Sequence, residues 1–136
     1  MSPVLAGYSG TPLWKKLGIK PQMRVLTVAA PPHYVGLLEG MPEAASITSR
    51  GNGPFAMIHL FVKQRRELER RLDDLESKLA AGGALWISWP KQASKVATDI
   101  TENTIREIVL PRGLVDVKVC AVDAVWSGLK VMRRKS

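Results

Sequence analysis

Arg24-Val25-Leu26-Thr27-Val28-Ala29-Ala30, closed by Pro31-Pro32-His33, is the stretch on which the fold turns. Apart from its first residue the run is uncharged and rich in β-branched side chains, the composition of a strand buried on both faces. Pro31 and Pro32 lack amide donors and cannot extend a ladder, so the strand must stop there and a short helix is expected through Tyr34, Leu37 and Leu38. Gly40 and Pro42 close that helix. A second run of the same kind, Phe55-Ala56-Met57-Ile58-His59-Leu60-Phe61-Val62, follows the turn Gly51-Asn52-Gly53-Pro54, with a weaker strand expected at residues 46–49.

Working outward, leucines at 68, 72, 75 and 79 fall on one face of a helix predicted over residues 64–81 and ended by Gly82-Gly83. Arg65, Arg66, Arg70 and Arg71 read as its wet face, aided by Glu67 and Arg71 at i, i+4. Ala84-Leu85-Trp86-Ile87-Ser88-Trp89 is a further apolar strand cut off by Pro90, and a polar loop follows over residues 91–98. Asp99 with Glu102 reads as a capping box for a helix through Ile105, Ile108 and Val109, terminated by Pro111 and Gly113. Val115, Val117 and Val119 alternate with Asp116 and Lys118 as a half-buried strand. Asp123-Ala124 then marks a hairpin turn into a last strand at residues 126–132, and Arg133-Arg134-Lys135 is expected to fray.

Ahead of the first strand, Thr11 is the expected N-cap of a short helix, with Pro12 in its first turn and Gly18 at its left-handed end. Strands alternating with helices imply parallel βαβ units with right-handed crossovers, and the closing hairpin adds an antiparallel end. A single domain over residues 1–136 is expected, with residues 1–21 as a lead-in and 133–136 as a basic tail.

Composition bounds the biology. The 136 residues are 46% hydrophobic, enough for one core without a metal or disulfide staple. The lone Cys120 forms no internal bridge and no Cys/His cluster has zinc spacing, so a reducing, cytoplasmic location and no metal are expected. Residues 1–7 lack a basic start and an apolar stretch of signal-peptide length, and no uncharged apolar segment reaches membrane-spanning length, so no membrane association is expected. The net charge of +8 favours polyanions at low salt, yet it is spread: eight basic and three acidic groups precede residue 69, twelve and nine follow.

Tyr8-Ser9-Gly10-Thr11-Pro12-Leu13, followed by Lys15-Lys16-Leu17-Gly18-Ile19-Lys20-Pro21, resembles a bacterial family of unknown function. Ala84-Leu85-Trp86-Ile87-Ser88-Trp89-Pro90-Lys91, the string from Gly113 through Asp123, and Trp126-Ser127-Gly128-Leu129-Lys130 carry the same resemblance. More remotely, the element order ending in a hairpin resembles the S-adenosylmethionine-dependent methyltransferase fold. That likeness implies a three-layer, Rossmann-like, mostly parallel sheet with a C-terminal antiparallel hairpin.

A nucleotide grip in such a fold needs glycines after the first strand and an acidic residue at the end of the second. This chain offers Ala29-Ala30-Pro31-Pro32 and Ser49-Arg50 instead, so no cofactor is expected. Ligands in open α/β sheets sit beyond the carboxyl ends of the strands. That rim holds His33, Lys63, Lys91, Ser94 and Lys95 as anion-binding candidates, with Trp89 or Trp126 as an apolar wall. His59 is expected to be a hydrogen-bonded core residue, Cys120 a buried thiol, and His33 the better-placed proton-transfer group, although no carboxylate partner is visible for it.

The leading expectation is a noncatalytic module recognising an anionic small molecule or an acidic protein surface through the rim. The alternative is a cryptic or degenerate methyltransferase-like enzyme, with His33 transferring a proton and Lys91 stabilising charge. A further alternative is nonspecific nucleic-acid binding driven by net charge.

Overall fold

The structure is a computed structural model and describes residues 10–135. The Tyr8-Ser9 start of the quoted signature and the reading of residues 1–7 lie outside them. The described elements run α1 (Leu13–Leu17), β1 (Arg24–Val28), α2 (Tyr34–Leu37), β2 (Ser46–Thr48), β3 (Phe55–Phe61), α3 (Arg65–Lys78), β4 (Leu79–Pro90), α4 (Glu102–Val109), β5 (Leu114–Ala121) and β6 (Trp126–Arg133). Six strands form one sheet in the order β2-β1-β3-β4-β6-β5. The first four are parallel neighbours, while β6 pairs antiparallel with both β4 and β5. The mixed α/β sheet with its antiparallel C-terminal end is the architecture expected from the order of elements.

Two cores flank the sheet, which makes three layers. Val25, Met57, Phe61 and Trp86 face Leu17, Ile19, Tyr34 and Leu38 from α1, α2 and their flanks. On the other face, Leu26, Ile58, Leu60, Leu85 and Ile87 pack with Leu68, Leu72 and Leu75 of α3 and Ile105, Ile108 and Val109 of α4. Adjacent residues of β1 thus serve opposite cores, which is why the strand is apolar without alternation. Trp86, fully buried, donates its indole N–H to the Leu17 carbonyl at 3.0 Å and pins α1 to the sheet.

Several local expectations are corrected. α3 stops at Lys78 and Leu79 opens β4, opposite Phe55. Leu79 is buried in either conformation, so leucine spacing alone could not distinguish helix from strand. The Gly82-Gly83 pair lies inside the strand, where a Cβ on Gly83 would come within 2.9 Å of the Ala80 carbonyl and 3.1 Å of the Ala56 carbonyl.

Thr101, and not Asp99, caps α4. Its hydroxyl accepts from the Thr104 N–H while the Thr104 hydroxyl accepts from the Thr101 N–H. Asp99 instead reaches back to accept the Arg65 N–H at 2.6 Å, supplying the N-terminus of α3, whose own Gln64 makes no side-chain cap. At the other end of the chain Arg133 is not frayed. Its guanidinium donates to the carbonyls of Glu76, Leu79 and Ala80, where α3 gives way to β4. Pro12 occupies the N-cap of α1 in place of Thr11, and Gly18 takes the left-handed end as expected.

Candidate functional site

The last residue of β1 is Val28, and Ala29 turns the chain with φ +59°, a left-handed conformation unusual for a residue with a Cβ. Pro31 accepts the Tyr34 N–H through its carbonyl, which starts α2 immediately beyond. The turn opens onto a cavity of about 560 Å³ lined by Ala29, Ala30, Pro31 and Pro32 on one side and Phe61, Val62, Lys63, Gln64 and Glu67 on the other, with Trp126 as a wall. It lies beyond the carboxyl ends of β1 and β3, the position where open α/β sheets carry ligands. The Phe61 and Trp126 rings meet edge to face, with centroids 5.0 Å apart.

Next to this lining along the chain, though not part of it, His33 Nε2 lies 2.8 Å from Asp123 Oδ2. His33 directly follows Pro32 of the lining and its side chain is 56% exposed, whereas that of Asp123 is 13% exposed. Asp123 sits in the β5–β6 turn and its other oxygen accepts the N–H groups of Val125 and Trp126, each at 2.8 Å. Partial burial works against the Asp123 carboxylate, but the hydrogen bonds from His33, Trp126 and Val125 outweigh it and hold the carboxyl below its usual range. A carboxylate fixed in this way selects one imidazole tautomer and orients the ring, leaving the other nitrogen to exchange a proton with a ligand. The partner that the sequence did not reveal for His33 is therefore 90 residues away. Its one sequence signal was an aspartate at a predicted hairpin turn.

A second histidine network is sealed in the core. His59, fully buried, stands 2.8 Å from the Tyr34 hydroxyl through Nδ1 and 2.7 Å from Ser88 Oγ through Nε2. Burial pushes its pKa down to about 3 and pushes the Tyr34 phenol up, so both are neutral at ordinary pH. A neutral imidazole offers one donor and one acceptor, which the two hydroxyls satisfy in either sense. His59 is the hydrogen-bonded core residue expected from its place in an apolar strand. Cys120 is half-buried; burial raises its thiol pKa despite nearby Lys16 and Lys118.

The rim candidates do not converge. Lys63 and Trp126 line the large cavity, while Trp89 and Lys95 line a second one of about 450 Å³ formed by the chain between β4 and α4. Lys91 donates its backbone N–H to the Val125 carbonyl and lines neither. Ser94 is used by its own turn, donating to the Lys91 carbonyl and accepting the Val96 N–H. Among the described residues no group of three His, Cys, Asp or Glu side chains is placed to hold a metal ion, and no helix is long and apolar enough to cross a membrane.

No protein-family model matches the chain, and no curated protein sequence matches it. Solved structures do share its fold. A S-adenosylmethionine-dependent methyltransferase from Aquifex aeolicus superposes with a TM-score of 0.61 at 16% identity, over 89% of this chain and 87% of that one. A type 11 methyltransferase assignment from Sulfolobus solfataricus gives 0.62 at 11%, over 91% and 90%. Aeropyrum pernix fibrillarin, solved with natively bound S-adenosyl-L-methionine, gives 0.60 at 12%, over 93% and 70%.

These neighbours correct the leading functional expectation. The solved structures that share the fold are described as methyltransferases, which is at odds with a noncatalytic module, and the two premises of that module also fail on geometry. The basic rim is divided between cavities, and the carboxylate partner for His33 that the sequence did not show is supplied by the fold. What the chain shares with these proteins is a methyltransferase-like Rossmann fold.

Proposed function

We propose that this chain is a degenerate methyltransferase-like enzyme that keeps the scaffold and the rim cavity but has lost the adenosyl grip, and that His33 performs proton transfer on its substrate. The observation that carries the reading is the 2.8 Å His33–Asp123 contact beside the large cavity of a fold shared with methyltransferases. Lys63 and Gln64 supply polar contacts at the cavity, and Phe61 and Trp126 give a substrate its apolar wall.

The residues present do not fit S-adenosylmethionine in the usual way. The turn after β1 presents a Cβ on Ala29 and two prolines without amide donors where a close backbone approach is needed. The end of β2 offers Ser49 and Arg50, neither of which is a carboxylate for ribose hydroxyls. The reaction is therefore read as acid–base chemistry carried by this chain's own side chains.

Two measurements test the proposal. Calorimetry with S-adenosylmethionine and S-adenosylhomocysteine should give no saturable heat, and one-to-one binding of either would overturn the loss of the grip. Solvent deuterium incorporation into a small-metabolite mixture, followed by NMR, should be accelerated by the wild-type protein. It should fall about a hundredfold in His33→Gln, the lower end of what a positioned general base contributes. Exchange absent in the wild type, or unchanged in His33→Gln, would sink the assignment of His33. Asp123→Asn should reduce exchange less than His33→Gln does, because the imidazole remains but loses its fixed tautomer.

A further inference from the structure

We infer that a third, smaller cavity, distinct from the one beside His33, binds the phosphate of a phosphomonoester. It measures about 210 Å³ and lies between the ends of β1 and β2 and the later turns of α3. Its charged lining is Arg50, Arg71, Asp74 and Lys78, with Ser49 and the Gly51 backbone beside them. Lys78 Nζ and Asp74 Oδ2 pair at 3.2 Å, which leaves Arg50 and Arg71 as the remaining charges of the lining, Arg71 also facing Glu67 from outside it.

Neither arginine is saturated. The Arg50 guanidinium has no hydrogen bond or ion pair with any described residue. Arg71 Nε is buried without a hydrogen-bond partner, and its contact with Glu67 Oε1 is a 3.5 Å ion pair lacking hydrogen-bond geometry. A buried unpaired donor is costly to keep.

Guanidinium groups present planar, paired donors that match phosphate oxygens. The volume is ample for a phosphate group. Ala29 lines this cavity and the larger one, so the two are neighbours at the β1 turn. Where a nucleotide grip would place a carboxylate for sugar hydroxyls, this chain has the side chains for an anion.

The test is calorimetry at constant ionic strength in sodium chloride, with inorganic phosphate, ribose 5-phosphate and ribose as probes and a short single-stranded oligodeoxynucleotide as a phosphodiester. Ribose 5-phosphate should bind one to one and ribose should not. Arg50→Gln, at an exposed and unpartnered side chain, should weaken binding at least tenfold, and Arg71→Gln should do so as well. Lys91→Ala, outside the cavity, should leave it within twofold. The inference falls if neither phosphate nor ribose 5-phosphate binds, if Arg50→Gln binds like the wild type, or if Lys91→Ala weakens binding equally. Tighter binding of the oligonucleotide with the same sensitivity to Arg50→Gln would overturn the monoester assignment. Arg50→Gln leaves His33 and Asp123 intact, so this site can fail while the proton-transfer reading stands.

Discussion

Ala29 and His59 show how much one residue carries. Ala29 holds φ +59° at the junction of both rim cavities, and a left-handed alanine costs about 1–2 kcal/mol. Glycine would remove that strain but widen the unfolded ensemble by about 0.4–1 kcal/mol. Ala29→Gly should therefore raise unfolding stability by roughly 0.5–1 kcal/mol in urea titrations. His59 gives a pH signature. Its folded pKa of about 3 lies below the ordinary 6.5, so between those values the unfolded chain binds a proton that the folded chain refuses. Its contribution is fully present above pH 6.5 and declines as pH falls toward 3, at up to about 1.4 kcal/mol per pH unit. Denaturation at pH 7 and pH 5 should show this slope in the wild type and a shallower one in His59→Asn. Identical slopes would contradict a buried neutral imidazole. The sequence placed both residues in or at strands, but neither the strain at Ala29 nor the Tyr34 and Ser88 partners of His59 has a local pattern.

At the scale of elements, α3 is held at both ends by distant residues. Asp99 accepts its first exposed amide and Arg133 covers its last carbonyls, while Arg112 pairs with Asp73 and, at 2.8 Å, with Glu76 along its length. Asp99→Ala should cost about 1 kcal/mol, the usual magnitude for a lost helix cap. Thr101→Ala should cost a similar amount at α4. If the sequence-level pairing of Asp99 with Glu102 were real, Asp99→Ala would loosen α4; amide exchange should instead speed up at Arg65 and its neighbours in α3. The leucine spacing was sufficient to find α3 and its buried face. Its start was legible to within one residue, but its C-terminal end was not, because the Arg133 that covers it lies 57 positions away along the chain.

For the whole molecule, the decisive fact is that the last strand is an interior one. β6 lies between β4 and β5, and its Leu129 and Val131 are fully buried. A chain ending at Val125 would lose the only partner of β5 among the described strands and open the core beneath Leu129. Such a chain should lack a cooperative urea transition, whereas removal of residues 134–136 should leave one. Asp123 would also lose the Trp126 amide, so the His33 pair depends on the same closure. The amino-acid sequence by itself determined the alternation of strands and helices, the burial of β1 and β3 on both faces, and the absence of glycines from the first turn. These follow from short-range periodicity and backbone chemistry, which need no knowledge of distant residues. Only the tertiary structure decided that Asp123 meets His33, that Lys63 and Lys95 line different cavities and Lys91 neither, and that Arg50 and Arg71 share a third. Those facts depend on strand order and on helices crossing the sheet, which bring together side chains whose separation along the chain carries no local signal.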